Sequence, residues 1–389
     1  MLFSRKCCNF AWIYVCKKNF VMNFRTVIDL PPSPICVQPN SRMLLMGSCF
    51  VERIGQRLQK SNLSAVVNPF GVQYNPKSIS LALRALIKGK SDDSWFFKGS
   101  DNLYHSWMHT SLFSGKTLQD CRKKVELGLK EGADTLKSSE VLFVTFGTNH
   151  VYYLKGVPSE CPANNSALSE ASLDCLVRNS ELPEASLDCQ PSKLDFSDAK
   201  PNYPASIKGY LRTNPFVVSN CHKEPAGKFC EATLNVSEIV SDWQELLTLL
   251  PKNLHIVFTV SPYRYAKYGY HESQLSKATL LLAIHQLMQE DSEKRLHYFP
   301  AYEIVNDELR DYRFYDADML HPSEQAAEYI WERLQDWCFA ASTKEYIREW
   351  KPIQKMMEHR LLNDDTEETK KHHEIIEKRV QQFKNKWQL

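Results

Sequence analysis

Ser48 and Cys49 stand side by side in "MLLMGSCFVERIGQRL" (43–58), where a compact apolar run passes through Gly47 into a segment with Phe50, Ile54 and Leu58 at four-residue spacing. A serine hydroxyl attacks carbonyl carbon only with a base beside it, and a cysteine attacks as its thiolate. If the apolar run is a buried strand and the next segment a helix, both residues lie where the strand's carboxyl end meets a helix N-terminus. A helix N-terminus favours an anion, whether a thiolate or the oxyanion of acyl transfer. A thiol placed there is expected to titrate below the free value of about 8.5. The competing reading is a tight turn of small residues, with Cys49 as an apolar filler.

A partner for either nucleophile stands far along the chain, in "DADMLHPSEQAAEYIWERL", where Asp318 precedes His321 by three residues just ahead of a helical pattern. In that spacing the carboxylate can accept from one imidazole nitrogen while the other faces a nucleophile. A helix-capping Asp beside a surface His has the same letters. Two oxyanion donors are available at the ends of apolar runs: the backbone N–H of Gly71 in "NPFG" and the side-chain amide of Asn149 in "FGTNH". Both residue types also serve plain turns. "VVSNCHKEPAGKF" (217–229) holds Asn220, Cys221, His222 and Lys223, readable as cleft residues that bind an anionic group or as loop and core residues. His105 and His109 in "YHSWMHTSLFSG" are equally open, with a structural role preferred.

The elements that must position these groups are short apolar runs bounded by turn residues: 42–47, 64–71, 140–147, 254–262 and 296–304. They lack strict alternation, as strands covered on both faces do. Helical patterns lie between them, including "SISLALRALI" (78–87) and "SQLSKATLLLAIHQLM" (273–288). Strand-helix alternation argues for an α/β fold with a parallel sheet of about five strands.

The 389 residues, 43% hydrophobic, suffice for one large core. With 48 Lys+Arg against 46 Asp+Glu and no basic stripe, nucleic acid is not an expected partner. No run of about 18 apolar residues exists, so no membrane span is expected. The 12 cysteines are scattered without a C-x-x-C pair, which argues against structural zinc and suits a reducing, cytoplasmic compartment. Residues 1–21 read as an unstructured extension, and 22–340 as the α/β domain. Within that domain, 157–210 form a polar insertion loop with a local duplication, "LSEASLDC" and "LPEASLDC". Residues 341–389 read as a charged helical tail, either packed on the domain or offered to a partner as a scaffold.

The order of motifs resembles the SGNH (GDSL-type) hydrolase superfamily: strand then G-x-nucleophile, a glycine after the second strand, G-x-N after the third, D-x-x-H before the last helix. Within it, "GSCF", "NPFGVQYNP", "NCHK", "TVSPYR", "SQLSKATLLLAI" and "YFPAYEI" with "DELRDYRFYDADMLHPSE" look like the GSCFA family over roughly residues 24–338. The resemblance implies a flavodoxin-like three-layer α/β/α domain, here with a C-terminal helical appendage. Aligned on the glycine, it puts Cys49 rather than Ser48 at the nucleophile position and Gly71 at the oxyanion glycine. It also matches Gly147 and Asn149 to G-x-N, and Asp318 and His321 to the catalytic pair. His150 stands where typical members of the clan have Asp. The implied activity is acyl transfer, by an esterase, deacylase or acyltransferase acting on a small molecule or glycan. No cofactor is implied, although an acyl donor such as acyl-CoA is compatible. A binding module that holds an acylated ligand in a former hydrolase cleft is the alternative.

Overall fold

In the computed structural model, which describes residues 25–155, 216–358 and 367–388, five strands form one parallel sheet. They are β1 (Met43–Gly47), β2 (Ala65–Val67), β5 (Val141–Phe146), β9 (His255–Val260) and β10 (Leu296–Tyr298), in the order β10-β9-β5-β1-β2. Counted along the chain this is the 2-1-3-4-5 order of flavodoxin-like sheets, whose ligands gather at the carboxyl ends of the strands, where the winding reverses beside β1. The expected extension at 1–21 and the insertion at 157–210 lie outside the described residues.

The missing alternation has a direct cause. Leu44, Met46, Leu142, Val144, Phe146, Ile256 and Phe258 point to one face; Met43, Leu45, Val141, Phe143 and Val257 point to the other, and all are buried. The first face is covered by α2 (Pro76–Lys88), α3 (Leu118–Ser138), α4 (Val236–Leu249) and α5 (Tyr270–Gln289). The second is covered by α1 (Cys49–Lys60), α6 (Glu324–Cys338) and α7 (Ala341–Glu358), with α8 (Glu367–Trp387) packed over α7. This is a three-layer α/β fold with a C-terminal helical part.

The helical tail belongs to the second layer. Tyr346 is fully buried and exchanges hydrogen bonds with Asn62 at 2.8 and 2.9 Å, Trp350 Nε1 donates to the Lys60 carbonyl at 2.8 Å, and Phe383 packs against both rings. Apart from the main sheet, β3 (Phe96–Lys98) and β4 (Tyr104–Ser106) form a hairpin. β6 (His150–Leu154) lies between β7 (Val217–Val218) and β8 (Phe229–Thr233) in a small antiparallel sheet.

Candidate active site

Gly47 closes β1 with φ 141°, and a Cβ there would stand 2.3 Å from the Thr145 carbonyl oxygen of the neighbouring strand, so only glycine fits the turn. Its N–H donates to Asn68 Oδ1 at 2.9 Å and its carbonyl accepts from the Gln73 N–H at 2.9 Å, fixing the loop after β2 against the strand end. Ser48 is the N-cap of α1 but makes no side-chain capping bond; its Oγ is buried and has no hydrogen-bond partner among the described residues. Cys49 opens the helix and is half-buried.

Burial pushes the Cys49 thiol above its ordinary range, and the Glu52 carboxylate one turn on adds to this. Arg53, Lys277 and the residue's own N–H pull the other way without reversing it. The expected depression of this thiol is therefore corrected: loss of solvent outweighs the helix terminus and both cations.

His321 Nδ1 lies 2.5 Å from Asp318 Oδ2, while Asp318 Oδ1 accepts the backbone N–H groups of Leu320 (2.8 Å) and His321 (2.9 Å). Partial burial would raise this carboxyl, but the bonds from the His321 ring and from the two N–H groups prevail and hold it below its ordinary value. An ionised Asp318 keeps the ring hydrogen on Nδ1 and leaves Nε2 as the acceptor, the tautomer a general base needs. The loop itself is fixed by Arg264, whose N–H donates to Leu320 O and whose Nη1 donates to Met319 O, both at 3.0 Å.

Arg53 connects this loop to the helix that Cys49 opens. One turn beyond Cys49, it donates from Nη1 to Pro322 O and from Nη2 to Asp316 Oδ2, each at 2.7 Å. The Tyr263 ring, just past the end of β9, packs on His321 with centroids 4.4 Å apart.

Lys277 was not singled out from the sequence. It sits on the buried face of α5 with Ser273, Leu280 and Ile284 and is 2% exposed; its Nζ donates to Gly147 O at 2.6 Å and Ser261 O at 2.8 Å. Burial pushes its amine down to about 7, against an opposing influence from Cys49. A lysine at an apolar register of a helix was the available signal.

The remaining expected residues fall in two groups. Gly147 abuts the β1–α1 junction: a Cβ there would meet Tyr74 O at 3.0 Å and Ser48 Cβ at 3.5 Å. Asn149, also buried, donates from Nδ2 to Leu234 O at 2.8 Å. Gly71 turns the chain with φ 78° and directs its N–H to Asn68 O at 2.7 Å. His150 stacks on Tyr268 and bonds Glu231 at 3.1 Å in a cluster with Lys267 and Tyr152.

Asn220, His222 and Lys223 lie instead by the β3–β4 hairpin. There His222 is buried against Trp107 and His105, its Nε2 on Ser106 O at 2.9 Å and its N–H on Asn220 Oδ1 at 2.8 Å, while Lys223 is exposed. Burial lowers His222 to about 4 and His109 to about 3, so both rings are neutral around pH 7. A cavity of about 290 Å³ lined by Ile35, Cys36, Glu140, Val141 and His255 opens at the amino ends of β5 and β9, opposite the Cys49 edge. Among the described residues, no group of three or more His, Cys, Asp or Glu side chains is placed to hold a metal ion.

No curated protein and no solved structure matches the chain. The GSCFA family model matches residues 42–173 and 208–334, which include Gly47 through Arg53, Asn149, Lys277, Asp318 and His321. The chain therefore belongs to the GSCFA family.

Proposed function

We propose that this protein is an acyl-transfer enzyme of the SGNH type, acting on an acyl ester or thioester of a small molecule or glycan, with Cys49 as nucleophile. The observation that carries the reading is the Arg53 clamp. The helix that begins at Cys49 also holds, through Arg53, the loop on which Asp318 orients His321. Ser48, with its hydroxyl sealed from solvent, packs beneath the junction.

In this mechanism His321 Nε2 takes the Cys49 proton as sulfur attacks the acyl carbon. A thiol that is protonated at rest makes the base necessary at the moment of attack, since no thiolate stands ready. The N–H groups of Cys49 and Phe50 at the start of α1, with the Asn149 Nδ2 hydrogen that is not given to Leu234 O, hold the tetrahedral oxyanion. Gly71 is not given a donor role, its N–H being engaged by Asn68 O at 2.7 Å. Collapse expels the alcohol or thiol, which receives the proton from His321, and leaves a thioester on Cys49. Water or an acceptor hydroxyl, deprotonated by His321, then takes the acyl group.

The test is incubation of the full chain with p-nitrophenyl acetate, following nitrophenolate release and a hydroxylamine-labile protein adduct. His321→Ala is expected to slow release on the order of 10²–10⁴-fold. Release from the parent protein no faster than from His321→Ala, with no adduct, supports the binding-module reading instead.

A further inference from the structure

Arg264, in the "TVSPYR" stretch between β9 and α5, is half-buried, and three tyrosine rings surround its guanidinium. Tyr270 lies 4.6 Å from its central carbon to the ring centre, Tyr315 5.4 Å and Tyr312 5.6 Å. One guanidinium hydrogen is given to Met319 O at 3.0 Å, and the others have no acceptor among the described residues. Ring faces attract the cation but bring no net charge to cancel it.

The carboxylates that could cancel it are committed elsewhere. Asp316 pairs with Arg53 at 2.7 Å, Asp318 with His321 at 2.5 Å, Asp311 with Arg313 at 2.7 Å and Asp307 with Arg310 at 3.9 Å. Glu272, in the first turn of α5, makes no ion pair with Arg264. The guanidinium therefore keeps its full charge beside the loop that carries Asp318 and His321. Solvent reaches it past an apolar rim, since Tyr312 is 66% exposed, Tyr270 52% and Met319 44%. Its chain neighbour Tyr263 packs on the His321 ring, so a molecule held at Arg264 lies next to the candidate base.

A guanidinium offers its hydrogens as a planar fork that matches two oxygens of a carboxylate or a phosphate. We propose that Arg264, rimmed by Tyr270, Tyr312 and Tyr315, binds an oxyanion, a phosphate or carboxylate group that the substrate carries apart from its acyl bond. The binding stands on the surroundings of Arg264; its assignment to a substrate rests on the reading of His321 as the base of the proposed function.

The test titrates the full chain, with isotope-labelled arginine, against sodium phosphate and separately against sodium succinate at constant ionic strength, following the guanidinium Nε–H resonances by NMR. One resonance is expected to follow a saturation curve with at least one of the two anions, and which anion does so tells phosphate from carboxylate. That resonance is expected to be missing from Arg264→Gln, with the calorimetric dissociation constant raised at least tenfold, and Arg264→Lys is expected to recover part of the affinity. Unchanged affinity in a folded Arg264→Gln overturns the proposal. Should neither variant fold, the parent decides: small shifts spread over many arginines without saturation overturn the site.

Bound anion cancels the guanidinium charge near the His321 ring, so the ring's titration midpoint is expected to rise at saturation. An unchanged midpoint overturns the assignment to the substrate. Saturable, Arg264-dependent binding without any acyl adduct on Cys49 would leave the anion site standing and remove only the acyl-transfer reading.

Discussion

At position 47 the fold admits one residue type, because both the positive φ and the approach of the Thr145 carbonyl exclude a side chain. Gly47→Ala is expected to cost about 1–3 kcal/mol from the backbone conformation alone, with the clash in addition, read as a lowered midpoint in urea unfolding. Asp318 makes a pH prediction. Its folded-state pKa lies below the free value of about 3.9, so the stabilisation from its bonds to His321 and Leu320 is complete above that pH and drains away as pH falls through the folded pKa. Asp318→Asn is expected to flatten this part of the stability profile between about pH 5 and 2, by a small amount because the carboxylate is 39% exposed. The residues proposed to react were legible as candidates because the chemistry asked of them goes with residue type: a glycine before Ser48 and Cys49, and an Asp three residues before a His. Lys277 was not, since a lysine in a helix is ordinarily solvated and nothing local tells that two distant carbonyls receive it. The direction of the thiol's shift was missed for a related reason: the helix terminus can be read locally, whereas burial depends on the whole fold.

The long sheet strands and their covering helices were visible because each is a continuous apolar run or a clear amphipathic repeat, as in β5, β9 and α5. β3, β4 and β7 are two or three residues long and carry no periodicity, so their pairing depends on contacts the sequence does not display. The apolar run at 296–304 also breaks earlier than expected: β10 ends at Tyr298, and Pro300 starts the helical turn that brings Tyr302 toward Lys277. Between elements, Arg53 is the decisive connection. An ion pair this accessible contributes about 0–1 kcal/mol to stability, so Arg53→Ala is expected to shift the melting temperature by only a few degrees. Released from Arg53, the His321 loop loses its register against α1, and Cys49-dependent ester cleavage is expected to fall on the order of tenfold to a hundredfold. Equal losses of stability and activity would reduce Arg53 to a structural tie.

Across the whole molecule, the tail and the polar insertion differ in what the fold asks of them. Removing residues 341–389 would strip Tyr346, Trp350 and Phe383 from the second core, at about 1.5–3 kcal/mol each. That sum is comparable with the ~5–15 kcal/mol of a typical domain, so the truncated chain is expected to be insoluble or unfolded by circular dichroism. The insertion stands differently, because the family match skips 174–207. The chain also leaves and re-enters the described fold at one place, where the Leu154 N–H donates to Phe216 O at 2.9 Å. Deleting 174–207 is expected to leave the melting temperature within a few degrees of the parent's. The central claim, that the sulfur of Cys49 is the attacking atom, is tested most directly by mapping the acyl adduct by peptide mass after exposure to p-nitrophenyl acetate. The prediction is one acetyl group on Cys49, retained in Ser48→Ala and absent from Cys49→Ala; an acetyl group on Ser48 that survives in Cys49→Ala would contradict it.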